Sequence, residues 1–195
     1  MVEAARGDRL LSQDILFAEH LRVATQLAYR WQPLEVPVDA AMLERLDHHN
    51  AHVLQTVLAL QEHFPESAEY SVDYSLELAR LDLKINLLFE LISELIHKQI
   101  KLPARTNLTL SAYAARWRQM PAVDADSVGL LSIYFHPSLP KPVDLVVAIT
   151  QVQVVERGYE VSGLFQGTSL GVKEQLEKLI FRLHRKAIAR SRTAT

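Results

Sequence analysis

The strongest constraint on this chain is the spacing of Leu78, Leu81, Ile85, Leu88, Ile92 and Leu95, which are separated by 3, 4, 3, 4 and 3 positions. That rhythm is the a/d seam of a coiled coil, with Leu78, Ile85 and Ile92 at a and Leu81, Leu88 and Leu95 at d. It predicts a helix whose apolar face has to be covered. Phe89 and Ile96 at e, Leu91 at g and Leu87 at c widen the stripe almost all the way round, so cover is needed on several sides. A sheet of the same chain could supply it. Self-association with further copies satisfies the seam more fully and is the expectation here. Ile at a with Leu at d leans toward two strands, the widened faces toward more, and the spacing leaves the number open.

An earlier segment repeats the rhythm at Leu43, Leu46, Asn50, Val53, Val57, Leu60 and Phe64. Asn50 falls at an a position, where a buried amide costs stability but selects register and partner number. Asp39 is the expected N-cap, and Pro65 stops this helix near Phe64. Pro33 and Pro37 ahead of it predict an extended linker. The second helix starts between Ser67 and Ser75, with Ser71, Asp73 and Ser75 as rival caps, and runs to about Ile100, short of Pro103.

Strand-like sequence lies on both sides of this helical block. Before it, Leu21 to Thr25 and Leu27 to Trp31 carry β-branched and aromatic residues at alternate positions. After it, Leu108 to Leu110, Ala114 to Trp117, Val128 to Phe135 and Val143 to Val155 are strand candidates. Tyr159 to Phe165 sets Tyr159, Val161 and Phe165 against Glu160, Ser162 and Gln166. Ser169 to about Arg190 reads as an amphipathic helix with Val172, Leu176, Leu179 and Leu183 on its apolar stripe. The fold class is therefore α+β, with strands from both ends completing one sheet or small barrel around an inserted pair of helices.

Composition narrows the chemistry. The 195 residues are 49% hydrophobic, which allows a sizeable core, and contain no cysteine, which excludes disulfides, thiolate catalysis and thiolate zinc sites. A formal charge of −2 argues against a nucleic-acid polymer as partner. Met1 to Leu10 is charged and polar and no apolar run reaches membrane-spanning length, so a cytoplasmic protein without a membrane partner is expected. His48 and His52 are one turn apart with Glu44 a turn earlier, a spacing that can hold a divalent ion. Both fall on the polar side of the heptad, and a solvated face, with no metal, is the expectation. Gly167 to Gly171 lacks a P-loop lysine, and no acid/base pair or nucleophile motif is present. Neither catalysis nor a cofactor is expected. The basic end (Arg182, Arg185, Lys186, Arg190, Arg192) could meet an acidic partner, although cations late in a helix also complement its dipole.

Several local patterns resemble one family. Arg22 to Arg30 looks like the first strand of the PilZ domain, the six-stranded antiparallel barrel with a C-terminal helix found in bacterial cyclic di-GMP receptors. Leu110-Ser111-Ala112-Tyr113-Ala114 is similar to its ligand-loop segment, and Leu176 to Arg185 to its closing helix. The two inserted heptad helices, including Leu81 to Leu88, resemble an atypical, tetrameric PilZ subgroup. The resemblance, rather than the spacing, supplies the number four. Receptors of the family use RxxxR and D/N-x-S-x-x-G motifs, whose arginines grip phosphate and guanine. Here Arg22 matches the second arginine and Ser111 the serine, while Ala18, Thr109 and Ala114 stand at the other motif positions.

These observations imply a first barrel segment at 1–38, an inserted long-helix oligomerisation unit at 39–100, and the remaining barrel with its closing helix at 101–195. The expected function is that of a non-catalytic, oligomeric PilZ-like scaffold in cyclic di-GMP signalling, touching motility, type IV pili and virulence. Arg22 and Ser111 are its vestigial ligand residues, cyclic di-GMP binding is weak or absent, and the partners are further copies and a signalling protein. The alternative is a receptor that binds cyclic di-GMP through altered contacts. An enzyme built on the His48/His52 face comes third.

Overall fold

The apolar runs flanking the heptads become strands of a single closed barrel. The computed structural model describes residues 20–61, 101–137, 139–193 and helical positions 77, 78, 80, 81, 83–85, 87, 88, 91, 92 and 94. The strands are β1 (Val23–Pro33), β2 (Arg105–Leu110), β3 (Ala114–Gln119), β4 (Val128–Tyr134), β5 (Val143–Val155) and β6 (Gly158–Gln166). They close in the order β1-β2-β3-β6-β5-β4, every neighbour antiparallel. The two expected N-terminal strands are one. β1 pairs through Val23–Ala28 with β2 and through Ala28–Pro33 with β4, so Pro33 ends a ladder opposite Gly129 rather than opening a linker.

The barrel interior is filled by residues such as Leu27, Leu108, Leu110, Leu131, Ile133, Leu145, Val147 and Val161, with Trp31 and Trp117 in contact at a ring-centroid distance of 5.5 Å. Gly129 makes room for Trp31, because a Cβ there would lie 2.3 Å from the indole.

α1 (Ala40–Leu60) starts where expected, with Asp39 Oδ1 accepting from the Met42 N–H at 2.6 Å. It ends earlier than expected, at Leu60 with Gln61 as C-cap, and Phe64 and Pro65 lie outside the described residues. Its heptad face is turned inward: Val53, Leu54 and Val57 are buried in the same cluster as Val172, Leu176, Leu179 and Ile180 of α3 (Leu170–Thr193). Burying each such side chain contributes roughly 1.5–3 kcal/mol. Asp47 Oδ1 accepts from the Ser169 N–H at 2.9 Å and Leu58 O accepts from Arg182 Nη1 at 2.8 Å, tying the two helices at both ends of their contact. Ser169 caps α3 through the Val172 N–H.

α2 comprises the helical positions described between 77 and 94. The rival caps at Ser71, Asp73 and Ser75 lie outside the described residues. The chain leaves the barrel at Pro33 and re-enters it at Arg105, the partner of Ala28 on the same strand.

Candidate functional site

Two places carry the residues singled out in the sequence. At the start of β1, Arg22 is exposed, immediately before the strand. The β2–β3 turn lies alongside, since Val23 pairs with Leu110. Ser111 is buried there, and its hydroxyl is fully occupied. Oγ accepts from the Tyr113 and Ala114 N–H groups at 3.2 and 3.0 Å and lies 3.3 Å from Ala114 O, to which it can donate. It closes the turn. Thr109 sits in β2 opposite Ala24, and Ala114 is buried at the start of β3. Position 18 lies outside the described residues. Above the turn His20 stacks on Tyr113 at 4.2 Å, and Lys173 of α3 places its ammonium 5.1 Å from the centre of the same ring.

The second place is α2. Leu78, Leu81, Ile85, Leu88 and Ile92 are all exposed, from 48% at Ile85 to 57% at Leu88. Leu95, Phe89 and Ile96 lie outside the described residues. Leu83, Leu87 and Leu91 are exposed as well, and Leu83 is the most open at 70%. The heptad leaves Leu83 out because it falls at f, yet 83, 87 and 91 form their own i, i+4, i+8 line. At 100° per residue that line is roughly 140° around the helix from the a/d seam. The helix is therefore apolar over a broad arc that runs from the seam through Leu91 and Leu87 to Leu83, and the described residues of its own chain leave it uncovered.

Asn50 does not belong with α2, which corrects the expectation that it selects register between helices. It is buried against β5, donating from Nδ2 to Asp144 O at 2.7 Å and accepting on Oδ1 from Asp144 N–H at 2.8 Å. The reason lies in the ladder. Asp144 pairs with Ser132 of β4, but β6 has ended at Gln166, opposite Val146. Alternation in an antiparallel ladder aims the Asp144 N–H and C=O away from β4, into the place β6 vacates. The carboxamide fills it as a surrogate peptide group. His49 supports the same corner, its Nε2 3.0 Å from Pro142 O and 3.9 Å from the Asp144 carboxylate, which also accepts from Ser132 Oγ.

His48 and His52 are exposed on the outer side of α1 with Glu44. Among the described residues no group of three or more His, Cys, Asp or Glu is placed to hold a metal ion. Of the basic end, Arg182 is turned onto α1 as described, and Lys186 faces His136. Burial, and secondarily the Lys186 charge, push the His136 imidazole below its ordinary pKa. No helix among the described residues is long and apolar enough to cross a membrane.

Comparison with known families gives a match to the atypical PilZ domain, described as a cyclic di-GMP receptor, over residues 57–193. The chain belongs to the atypical PilZ family. PilZ domains are binding modules, and the six-stranded antiparallel barrel with its closing helix is the PilZ fold. Among solved structures, one similar to this atypical PilZ chain is a pathogenic protein from Xanthomonas campestris. It is described as a new tetrameric PilZ domain self-assembled via an unusual helical bundle. The two are 20% identical and superpose with a TM-score of 0.69 over 93% of this chain and 99% of that one. No protein of curated function matches the chain.

Proposed function

We propose that this atypical PilZ protein is a non-catalytic, cytoplasmic assembly module of cyclic di-GMP signalling. Copies join through α2, and the assembly acts on motility, type IV pili or virulence through protein contacts. The observation carrying this is the exposure of every described apolar side chain of α2. A lone helix of this length gains little from its own hydrogen bonds, and an apolar surface of this extent marks an interaction site. So broad an apolar arc suits a bundle in which each helix touches more than one neighbour, and the Xanthomonas relative assembles through helices as a tetramer. Residues 39–100 form the inserted unit, with α1 anchoring it to the barrel and the seam Leu78, Leu81, Ile85, Leu88, Ile92 and Leu95 making the contacts.

Cyclic di-GMP binding is weak or absent in this reading. Ser111 is buried and occupied within its own turn, Thr109 and Ala114 replace the other loop residues, and Ala18 replaces the first arginine, leaving Arg22 alone. A receptor with altered contacts is the second reading, favoured by the His20–Tyr113 stack and Lys173, which leave an aromatic platform and a cation on the ligand face.

The assembly is tested with Leu88→Lys. Its side chain is exposed in the single chain, so the protomer should keep its fold, whereas an ammonium within a dry seam costs several kcal/mol. Light scattering should give a multiple of 22.1 kDa for the unaltered protein and about one chain mass for the variant. A monomeric unaltered protein at micromolar concentration refutes the proposal.

A further inference from the structure

We propose that α3 and the approach to β1 form a docking cleft for an acidic, amphipathic helix of another protein. This rests on the reading of the module as one that acts through protein contacts, and it names the chemistry of the partner. The inward side of α3 is accounted for, since Val172, Leu176, Leu179 and Ile180 are fully buried. The outward side is not the uniformly polar surface that an amphipathic helix ordinarily gives to water. Phe181 and Ile188 are exposed there, at 52% and 41%. Lys178, Phe181, Arg185 and Ile188 follow one another at intervals of 3, 4 and 3, the spacing that seats a second helix alongside the first. Basic and apolar groups alternate along that line. The Arg185 guanidinium lies 6.0 Å from the centre of the Phe181 ring, held beside the apolar group.

Across from this line the chain supplies an opposing wall. His20, Leu21, Ala112, Glu177, Lys178 and Phe181 line an open cleft of about 430 Å³, and Leu21 is itself 42% exposed. Space of that size accepts one or two large apolar side chains between Leu21 and Phe181. Charge complementarity decides the occupant. The whole chain has a formal charge of −2, yet the outward line itself carries Lys178 and Arg185, with Glu177 the acidic residue at the cleft. A partner with carboxylates flanking its apolar anchors therefore meets Lys178 and Arg185, while Glu177 at the cleft disfavours the opposite orientation. Glu174 and Glu177 also count against a nucleic-acid backbone.

The test is selection from a displayed random-peptide library on the full-length protein. Enriched peptides should combine acidic residues with large apolar ones at helical spacing. Phe181→Ser should weaken them about tenfold or more, as expected for a central aromatic anchor. The double variant Lys178→Glu, Arg185→Glu should turn selection toward basic peptides. All three positions are exposed, so unfolding midpoints should stay unchanged, and the charge-reversal variant decides the matter if Phe181→Ser proves unstable. Absence of enrichment, binders indifferent to both variants, or capture of phosphatidylserine vesicles instead of peptides overturns the proposal. The assembly reading is judged separately. Leu88→Lys should lose the large mass while retaining peptide binding, and a large mass without peptide binding refutes the cleft alone.

Discussion

Asn50→Ala removes both hydrogen bonds between α1 and the end of β5, at 2.7 and 2.8 Å, without touching any other strand. Each bond contributes about 1 kcal/mol net, and a buried donor or acceptor left unpaired costs about 1–3 kcal/mol. Water reaching part of the vacated space would offset some of this, so a loss of about 2–4 kcal/mol is expected for the pair. For a chain of this size 1 kcal/mol moves the midpoint by roughly 2–4 °C, giving a drop of about 5–15 °C. Asn50→Ile should be no better, because it fills the space but supplies neither the donor nor the acceptor that Asp144 needs. A coiled-coil Asn would behave in the opposite way, with Ile raising stability and blurring the assembly size. The measurement is thermal unfolding by circular dichroism at one fixed protein concentration, since midpoints of assemblies depend on concentration. Hydrogen exchange should show faster exchange at the Asp144 amide, and light scattering an unchanged mass. An alanine variant within about 0.5 kcal/mol of the parent, or an isoleucine variant that melts higher, would refute the surrogate-peptide role.

Two further outcomes follow from the barrel. Isothermal titration with micromolar cyclic di-GMP should give no heat, because each charge-assisted contact missing from the ligand face forfeits about 1.5–3 kcal/mol; low-micromolar binding would promote the receptor reading. Gly129→Ala should destabilise by about 1–3 kcal/mol through overpacking against Trp31, readable as a lowered denaturation midpoint and a shifted tryptophan emission, and a neutral result would mean that the indole has room to move.

What can be read from the chain follows from how local each signal is. β5 is found over the residues expected because it is rich in valine and other β-formers and bounded by Pro142 and the Glu156-Arg157 turn. Asp39 is legible because capping depends on three neighbouring residues alone. Asn50 is not, since a 3-4 rhythm states that one helix face is covered and is silent about what covers it. α1 lies on a barrel and a second helix, where the rhythm suggests another heptad helix. Alternation assigns Ser162 to a solvated face, yet it is buried and accepts from Arg116 Nε at 3.1 Å. The pairing of Arg116 with Ser162 across β3 and β6 is a matter of register, which no local pattern encodes. On the ligand face, motif matching locates Ser111 but not its engagement with the Tyr113 and Ala114 amides. The cleft beside it joins the approach to β1 to α3, elements more than 150 positions apart, and no spacing rule connects them.

Closure of the barrel has a consequence for how this protein fails. An open sheet ends in a strand with a row of unpaired amides and carbonyls, a template on which a neighbouring chain can add its own strand and propagate. Here β1 is flanked by β2 and β4 and every other strand likewise has two neighbours. Even the stub where β6 stops short is plugged by a side chain from α1. Growth by backbone pairing is thereby restricted to the short lengths where one strand outruns its neighbour, as Tyr29–Pro33 does beyond β2, and association falls mainly to side-chain surfaces of finite size. Mutations that spoil the helical seam should accordingly release discrete barrels into solution. Loss of the Asn50 plug uncovers a short stretch of β5, and with it a further opportunity for amyloid-like strand addition.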